Sequence, residues 1–178
     1  MPDIDALRNR GAEHIWKAFG GRVAARAPTE VRELLSNVYG ANSRGGVNAR
    51  AAAAGLGVSE RTIQRWAKLN KLPSNKNGER AMRVWKESPK VRAARMNPRR
   101  ESKMRNKGTT LEFKGIIRVS KDLRRRRINI DLTGEETGVV LDSLLAGNDE
   151  RAHAALEDIF SDAFRGDVEL AIQSLSTR

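Results

Sequence analysis

The stretch ARAAAAGLGVSERTIQRWAKL, Ala49 to Leu69, has the spacing of two short helices joined by a tight turn. Ala53 is small where the second helix must cross the first. Four residues later Gly57 supplies a residue that tolerates a left-handed backbone. Ala52, Leu56, Val58, Ile63 and Trp66 are apolar at the positions that would knit the two helices together. Ser59, directly after the turn, is a natural N-cap for a second helix over about Glu60–Lys68. This is the pattern of a helix-turn-helix, the unit that sets its second helix into the major groove of DNA. With Ile63 and Trp66 turned inward, Ser59 at the helix start and Glu60, Arg61, Gln64, Arg65 and Lys68 on the outer side are the expected DNA contacts of this helix. Arg61, Gln64 and Arg65 are three and four apart and share one face. The Arg fork matches a guanine edge, the Gln amide an adenine edge, and Lys68 suits a phosphate.

Working outward, Ile4, Leu7, Ile15, Trp16 and Phe19 predict a helix over residues 3–19, ended by Gly20-Gly21. A second helix is expected from Thr29, with Val31, Leu34, Leu35 and Val38 on its apolar side. The Gly-rich link 40–46 leads into the two-helix unit. Beyond it, residues 71–78 read as a loop by composition. Glu79–Met96 reads as a long basic helix interrupted at Pro89, carrying Arg80, Arg83, Lys90, Arg92 and Arg95. Residues 99–108 read as a basic linker whose Arg99, Arg100, Lys103, Arg105 and Lys107 would follow phosphates and give salt-dependent affinity.

From residue 109 the character changes. Residues 110–119 and 128–132 read as strands, joined by a hairpin-like connection, SKDLRRRR. Thr133 and Glu136 predict a capping box for a helix closed near Gly147, a further helix spans about Asp149–Phe164, and residues 167–175 end in a strand. The expected fold class is therefore α+β. An all-α domain over 1–75 holds the helix-turn-helix, a basic helix and linker fill 76–108, and a small ββααβ domain occupies 109–178.

Charge sharpens this division. The 178-residue chain carries a formal +12. From Asp131 onward there are eleven acids against three bases (Arg151, Arg165, Arg178), a net of −8, so residues 1–130 carry +20. A basic body suits nucleic acid, and an acidic end suits protein contacts. No cysteines and two distant histidines, His14 and His153, argue against disulfide scaffolds and zinc sites. No apolar run reaches membrane-spanning length, and the N-terminus lacks a signal-peptide core. No Ser/His/Asp or Cys/His set and no P-loop can be assembled, so an enzyme is not expected. Glu135-Glu136 and Glu157-Asp158 read as solvated helix faces, and His153 as a surface or core-rim residue.

From about Val31 to the C-terminus the chain resembles the telomere terminal proteins of linear actinobacterial (Streptomyces-type) chromosomes and plasmids. The segments that carry the resemblance are LGVSERTIQRW, RVWKESPKVRAARMNPRR, GTTLEFKGIIRV, SKDLRRRRINI and the closing GDVELAI. The resemblance implies binding to telomeric or palindromic DNA ends, and association with a telomere-associated protein and a DNA polymerase. It also implies protein priming, in which a hydroxyl side chain accepts the first nucleotide and is left linked to the 5′ end. The family's acceptor is a threonine ahead of the arginine stretch. Ser120 is the match here, with Thr109, Thr110 and Thr133 as fallbacks, and the connection is shorter than in typical members. Lys121, Arg124, Arg125, Arg126 and Arg127 are cations suited to triphosphate and template phosphates. The chain binds no cofactor in this reading, since Mg²⁺ and dNTP arrive with the polymerase. The expected location is cytoplasmic, on the bacterial nucleoid, with homodimerisation open. The alternative is a transcriptional regulator or a plasmid or phage DNA-binding protein with a C-terminal dimerisation domain.

Overall fold

The computed structural model describes residues 4–22, 27–119 and 122–178, with the side chains of residues 4–10 left aside. The chain is mixed α+β and divides into two compact units, Ala24–Arg95 and Met1–Val23 with Met96–Arg178. Among the described residues, no helix is long and apolar enough to cross a membrane.

The first unit is all helical: α2 (Val31–Tyr39), α3 (Ala49–Leu56), α4 (Glu60–Leu69), α5 (Lys76–Glu87) and α6 (Pro89–Arg95). Its core is Val31, Leu34 and Leu35 of α2, Ala52, Ala53 and Leu56 of α3, Ile63 and Trp66 of α4, and Ala81, Trp85 and Val91. The apolar positions quoted from the two-helix motif thus sit in or against this core, Val58 packing at its edge. The α5 helix begins three residues earlier than Glu79, inside the stretch read as a loop. Asn75 is its N-cap and accepts from the amides of Asn77 and Gly78. The break foreseen at Pro89 is real: Ser88 Oγ accepts from Val91 N and Pro89 takes the first helical position, where a missing N–H costs nothing.

The second unit is built on a three-stranded antiparallel sheet, order β2-β1-β3, from β1 (Thr109–Val119), β2 (Asp122–Leu132) and β3 (Val168–Thr177). Helices α8 (Gly134–Leu145) and α9 (Asp149–Phe164) lie between β2 and β3 in sequence, the ββααβ order expected. Leu111, Phe113 and Ile117 of β1 and Val168, Leu170 and Ile172 of β3 meet Val140, Leu141, Leu144, Leu156 and Phe160 in one core. Phe113 and Phe160 pack edge to face with centroids 5.2 Å apart. The capping box is formed: Thr133 Oγ1 accepts from Glu136 N at 3.2 Å, and Glu136 Oε2 accepts from Thr133 N at 2.7 Å.

Two expected divisions differ. The helix α1 (Ile4–Ala18) is not part of the helix-turn-helix unit. Its Ile15, Trp16 and Ala18, and Phe19 beyond it, are buried in the sheet unit's core. Residues 98–107 are not a linker but α7 (Pro98–Lys107), capped by Asn97, with Met104 buried in the same core. Arg100 explains both corrections. Its Nη2 donates to Ala18 O (3.1 Å), Thr177 O (3.2 Å) and Thr177 Oγ1 (2.6 Å), tying α7 to the end of α1 and to β3.

Candidate nucleic-acid interface

The outer face of α4 is set by what locks the helix. At its start Ser59 is extended (φ −77°, ψ 153°) and its Oγ accepts from Thr62 N. The preceding turn is Gly57 at φ 67°, ψ 36°, in the left-handed region, with its N–H bonded to Ala53 O. At the other end Asn70 is also left-handed (φ 48°), a place where Asn is one of the few tolerated side chains. Its Oδ1 accepts from Val31 N at 2.8 Å and its Nδ2 donates to Thr29 O at 3.3 Å. One residue therefore closes α4, through its backbone N–H to Trp66 O, and caps the N-terminus of α2 through its side chain, which fixes α4 against α2.

This clasp has a measurable weight. Asn70→Ala is expected to lose about 2 kcal/mol, part from the left-handed backbone and part from the cap. Asn70→Gly should recover the backbone part only. Urea titration followed by tryptophan fluorescence checks the order, and equal stability of all three proteins would show that the clasp contributes nothing.

With Ile63 and Trp66 buried, Glu60, Arg61, Gln64, Arg65 and Lys68 are all exposed. Among the described residues, Arg61, Gln64, Arg65 and Lys68 make no side-chain hydrogen bond or ion pair. Four recognition-capable groups thus stand on one side of a fixed helix, and no internal acceptor competes for them.

The remaining expected DNA contacts divide by structural duty. Arg80 donates to Gly55 O (3.3 Å) at the end of α3, so it is engaged there. Arg83 and Lys90 are exposed. Arg92 is 7% exposed and so is not the free cation the charge pattern suggested. Arg95 reaches Lys86 O, and burial, then the Arg92 charge, lowers its pKa from the ordinary value. In the sheet unit Arg100 is the clasp already described. Arg105 bridges Glu101 (3.0 Å) and Asp142 (2.7 Å), joining α7 to α8. Arg99, Lys103 and Lys107 are exposed and four residues apart, a basic stripe along α7.

The four arginines are not a connection between strands. They lie within β2, where neighbouring side chains point to opposite faces of the sheet. Arg124 and Arg126 pair with Ile117 and Gly115 and line a cleft of about 190 Å³ with Val119 and Phe164. Arg125 and Arg127 belong to the other face, where Arg127 is bonded to Glu112 at 2.8 Å. That hydrogen bond, with the Arg178 charge beside it, holds the Glu112 carboxyl below the usual carboxylate range. Arg124 is paired with Asp122 at 2.6 Å. The four cations therefore cannot act together on a single phosphate group from one side. On the edge strand β2 they also oppose pairing with another sheet edge.

Ser120 and Lys121 lie outside the described residues. The fallback hydroxyls are all committed. Thr109 Oγ1 donates to Arg178 O (2.8 Å), Thr110 Oγ1 to Asp131 Oδ1 (2.6 Å), and Thr133 Oγ1 to Glu136 Oε2 (2.9 Å). Thr109 holds the chain end, Thr110 a cross-strand pair between β1 and β2, and Thr133 a helix start, so none stands free as an acceptor. His153, expected at the surface or the core rim, is buried at 7% exposure, with Nε2 3.0 Å from Leu170 O. It joins α9 to β3.

Compared with protein families, curated proteins and solved structures, the chain matches none.

Proposed function

We propose that this chain is a DNA-binding protein that docks α4 in the major groove. The observation that carries this reading is the exposed, internally unpartnered set Arg61, Gln64, Arg65 and Lys68 on a helix fixed at both ends. The charge excess of residues 1–130 adds long-range attraction to phosphates. The stripe Arg99, Lys103 and Lys107 supplies further backbone contacts.

Within this reading, the resemblance to telomere terminal proteins makes the chain a protein primer at the ends of a linear replicon. Ser120 Oγ would attack the α-phosphorus of a dNTP, forming a phosphodiester bond and releasing pyrophosphate, while the hydroxyl proton passes to a base of the polymerase. Partner polymerase and Mg²⁺ supply the chemistry, and the chain supplies address and acceptor.

One incubation tests the finer reading. The protein, its replicon's polymerase, Mg²⁺ and α-labelled dNTP should give label that survives denaturing electrophoresis, and Ser120→Ala should abolish it. No label with a polymerase active on an ordinary primer removes the priming role. The broader reading is tested by duplex binding of the intact chain, with no binding at low salt as the refuting result.

A further inference from the structure

Between α2 and α3 the chain makes a small ordered loop, residues 40–48. Ala41 and Val47 form an antiparallel bridge. Inside it, Asn42 N donates to Gly46 O, Gly45 N to Asn42 O, and Asn48 N to Gly40 O. The Asn42 side chain accepts from the amides of Arg44 (3.0 Å) and Gly46 (2.8 Å) and donates to Val47 O (3.3 Å). Gly45, at φ 77°, allows the tight return. The loop's polar backbone is thus largely satisfied from within, and its shape is set before any ligand arrives.

This loop is one wall of a groove of about 440 Å³, and α4 is the other. The walls carry Arg44, Gln64 and Lys68, Arg32 of α2 joins them, and the floor includes Val47 and Ala67. Arg32, Arg44 and Lys68 are exposed, and none of their side chains has a hydrogen bond or ion pair among the described residues. Ala49, the first residue of α3, also lines the groove, so the positive end of that helix adds to the field. A groove with three unneutralised cations along its walls and apolar atoms on its floor matches an extended polyanion with apolar sugars: a nucleic-acid backbone.

We infer that this groove seats one strand of the DNA backbone, its phosphates gripped by Arg44 from the loop, Arg32 from α2 and Lys68 from α4. The inference rests on the proposed DNA binding and deepens it. It divides α4 by flank. Lys68 and Gln64 border the held strand, while Arg61 and Arg65, which do not line the groove, are left to the base edges. The loop then sets how far α4 enters the major groove, a positioning role that carries no sequence information itself.

The test is the salt dependence of binding to a fluorescent mixed-sequence duplex of about 20 base pairs, since each phosphate contact contributes about 0.9 to the slope of log K against log salt. For Arg32→Ala/Arg44→Ala the slope is expected to fall in magnitude by about 1.8. Lys86→Ala, which removes a charge from the same unit outside the groove, should leave it unchanged. A wild-type slope in the double variant overturns the groove assignment and leaves DNA binding standing. Equal falls per charge for the Lys86 and groove variants also overturn it, by showing a general charge effect. No binding by the intact chain overturns both readings.

Discussion

Alanine at both Arg61 and Arg65 is expected to leave a protein that binds its preferred duplex little better than a mixed-sequence one. Each arginine stands exposed on α4, one turn from the other, without an internal partner. Neither substitution opens a cavity or strands a buried charge, so the fold should persist. A bidentate Arg–guanine contact is worth about 1–3 kcal/mol of discrimination. Loss of two independent contacts therefore removes about 2–6 kcal/mol, from roughly thirty-fold to more than ten-thousand-fold in relative affinity. Binding to mixed sequence should persist, because Arg32, Arg44 and Lys68 remain. The measurement selects a preferred site from random duplexes with the intact chain, then titrates that site and a scrambled one with each variant. Undiminished discrimination in the double variant would refute docking through α4.

The parts of this protein that sequence makes legible are those governed by local rules. The two-helix unit is one: cap, turn glycine and apolar spacing act within some twenty residues, and each has a direct counterpart in Ser59, Gly57 and the Ala52–Trp66 core. The Thr133–Glu136 capping box is another. What stayed hidden depends on long-range contact. Nothing near residues 4–18 says that α1 serves the sheet rather than the helical unit. That follows from Thr177 Oγ1 bonding to Ala18 O across 159 residues, and from Arg100 joining the same carbonyl. Composition misleads over α7 and β2 for one reason. Runs of Arg and Lys suggest solvated linkers, yet Met104 and the alternate residues Ile128, Ile130 and Leu132 were enough to anchor them to a core. The Arg run conceals the alternation because arginine occupies both faces. In the candidate site α4, its cap and its exposed face could be read from sequence. The loop 40–48 could not, because its order comes from hydrogen bonds of Asn42 that no spacing rule marks.

Gly108→Ala is expected to lower the stability of the sheet unit by about 4 kcal/mol or more, a large share of what a domain of this kind possesses. Gly108 joins α7 to β1 at φ 71°, ψ −167°, a backbone region open essentially to glycine alone. Space is lacking as well. A Cβ there would lie 2.0 Å from the carbonyl oxygen of Leu132 and 3.0 Å from the carbonyl carbon of Thr133, both backbone atoms. The neighbouring approach is equally close, since a Cβ on Gly134 would sit 2.3 Å from Arg105 O. The end of α7 and the start of α8 therefore meet backbone to backbone, and Arg105–Asp142 ties them at the surface. Asparagine, which often replaces glycine in left-handed turns, should not rescue position 108, because its ψ lies outside that region and the clash begins at Cβ. Gly138 provides the contrast. It lies within α8, has no positive φ, and its added Cβ would meet only Arg105 Nη1 at an ordinary 3.6 Å. Gly138→Ala should therefore stabilise by about 0.5–1 kcal/mol through helix propensity and a less flexible unfolded chain. Urea denaturation followed by far-ultraviolet circular dichroism reads both. A midpoint for Gly108→Ala within error of the wild type would mean that the α7–β1 junction does not have this backbone geometry.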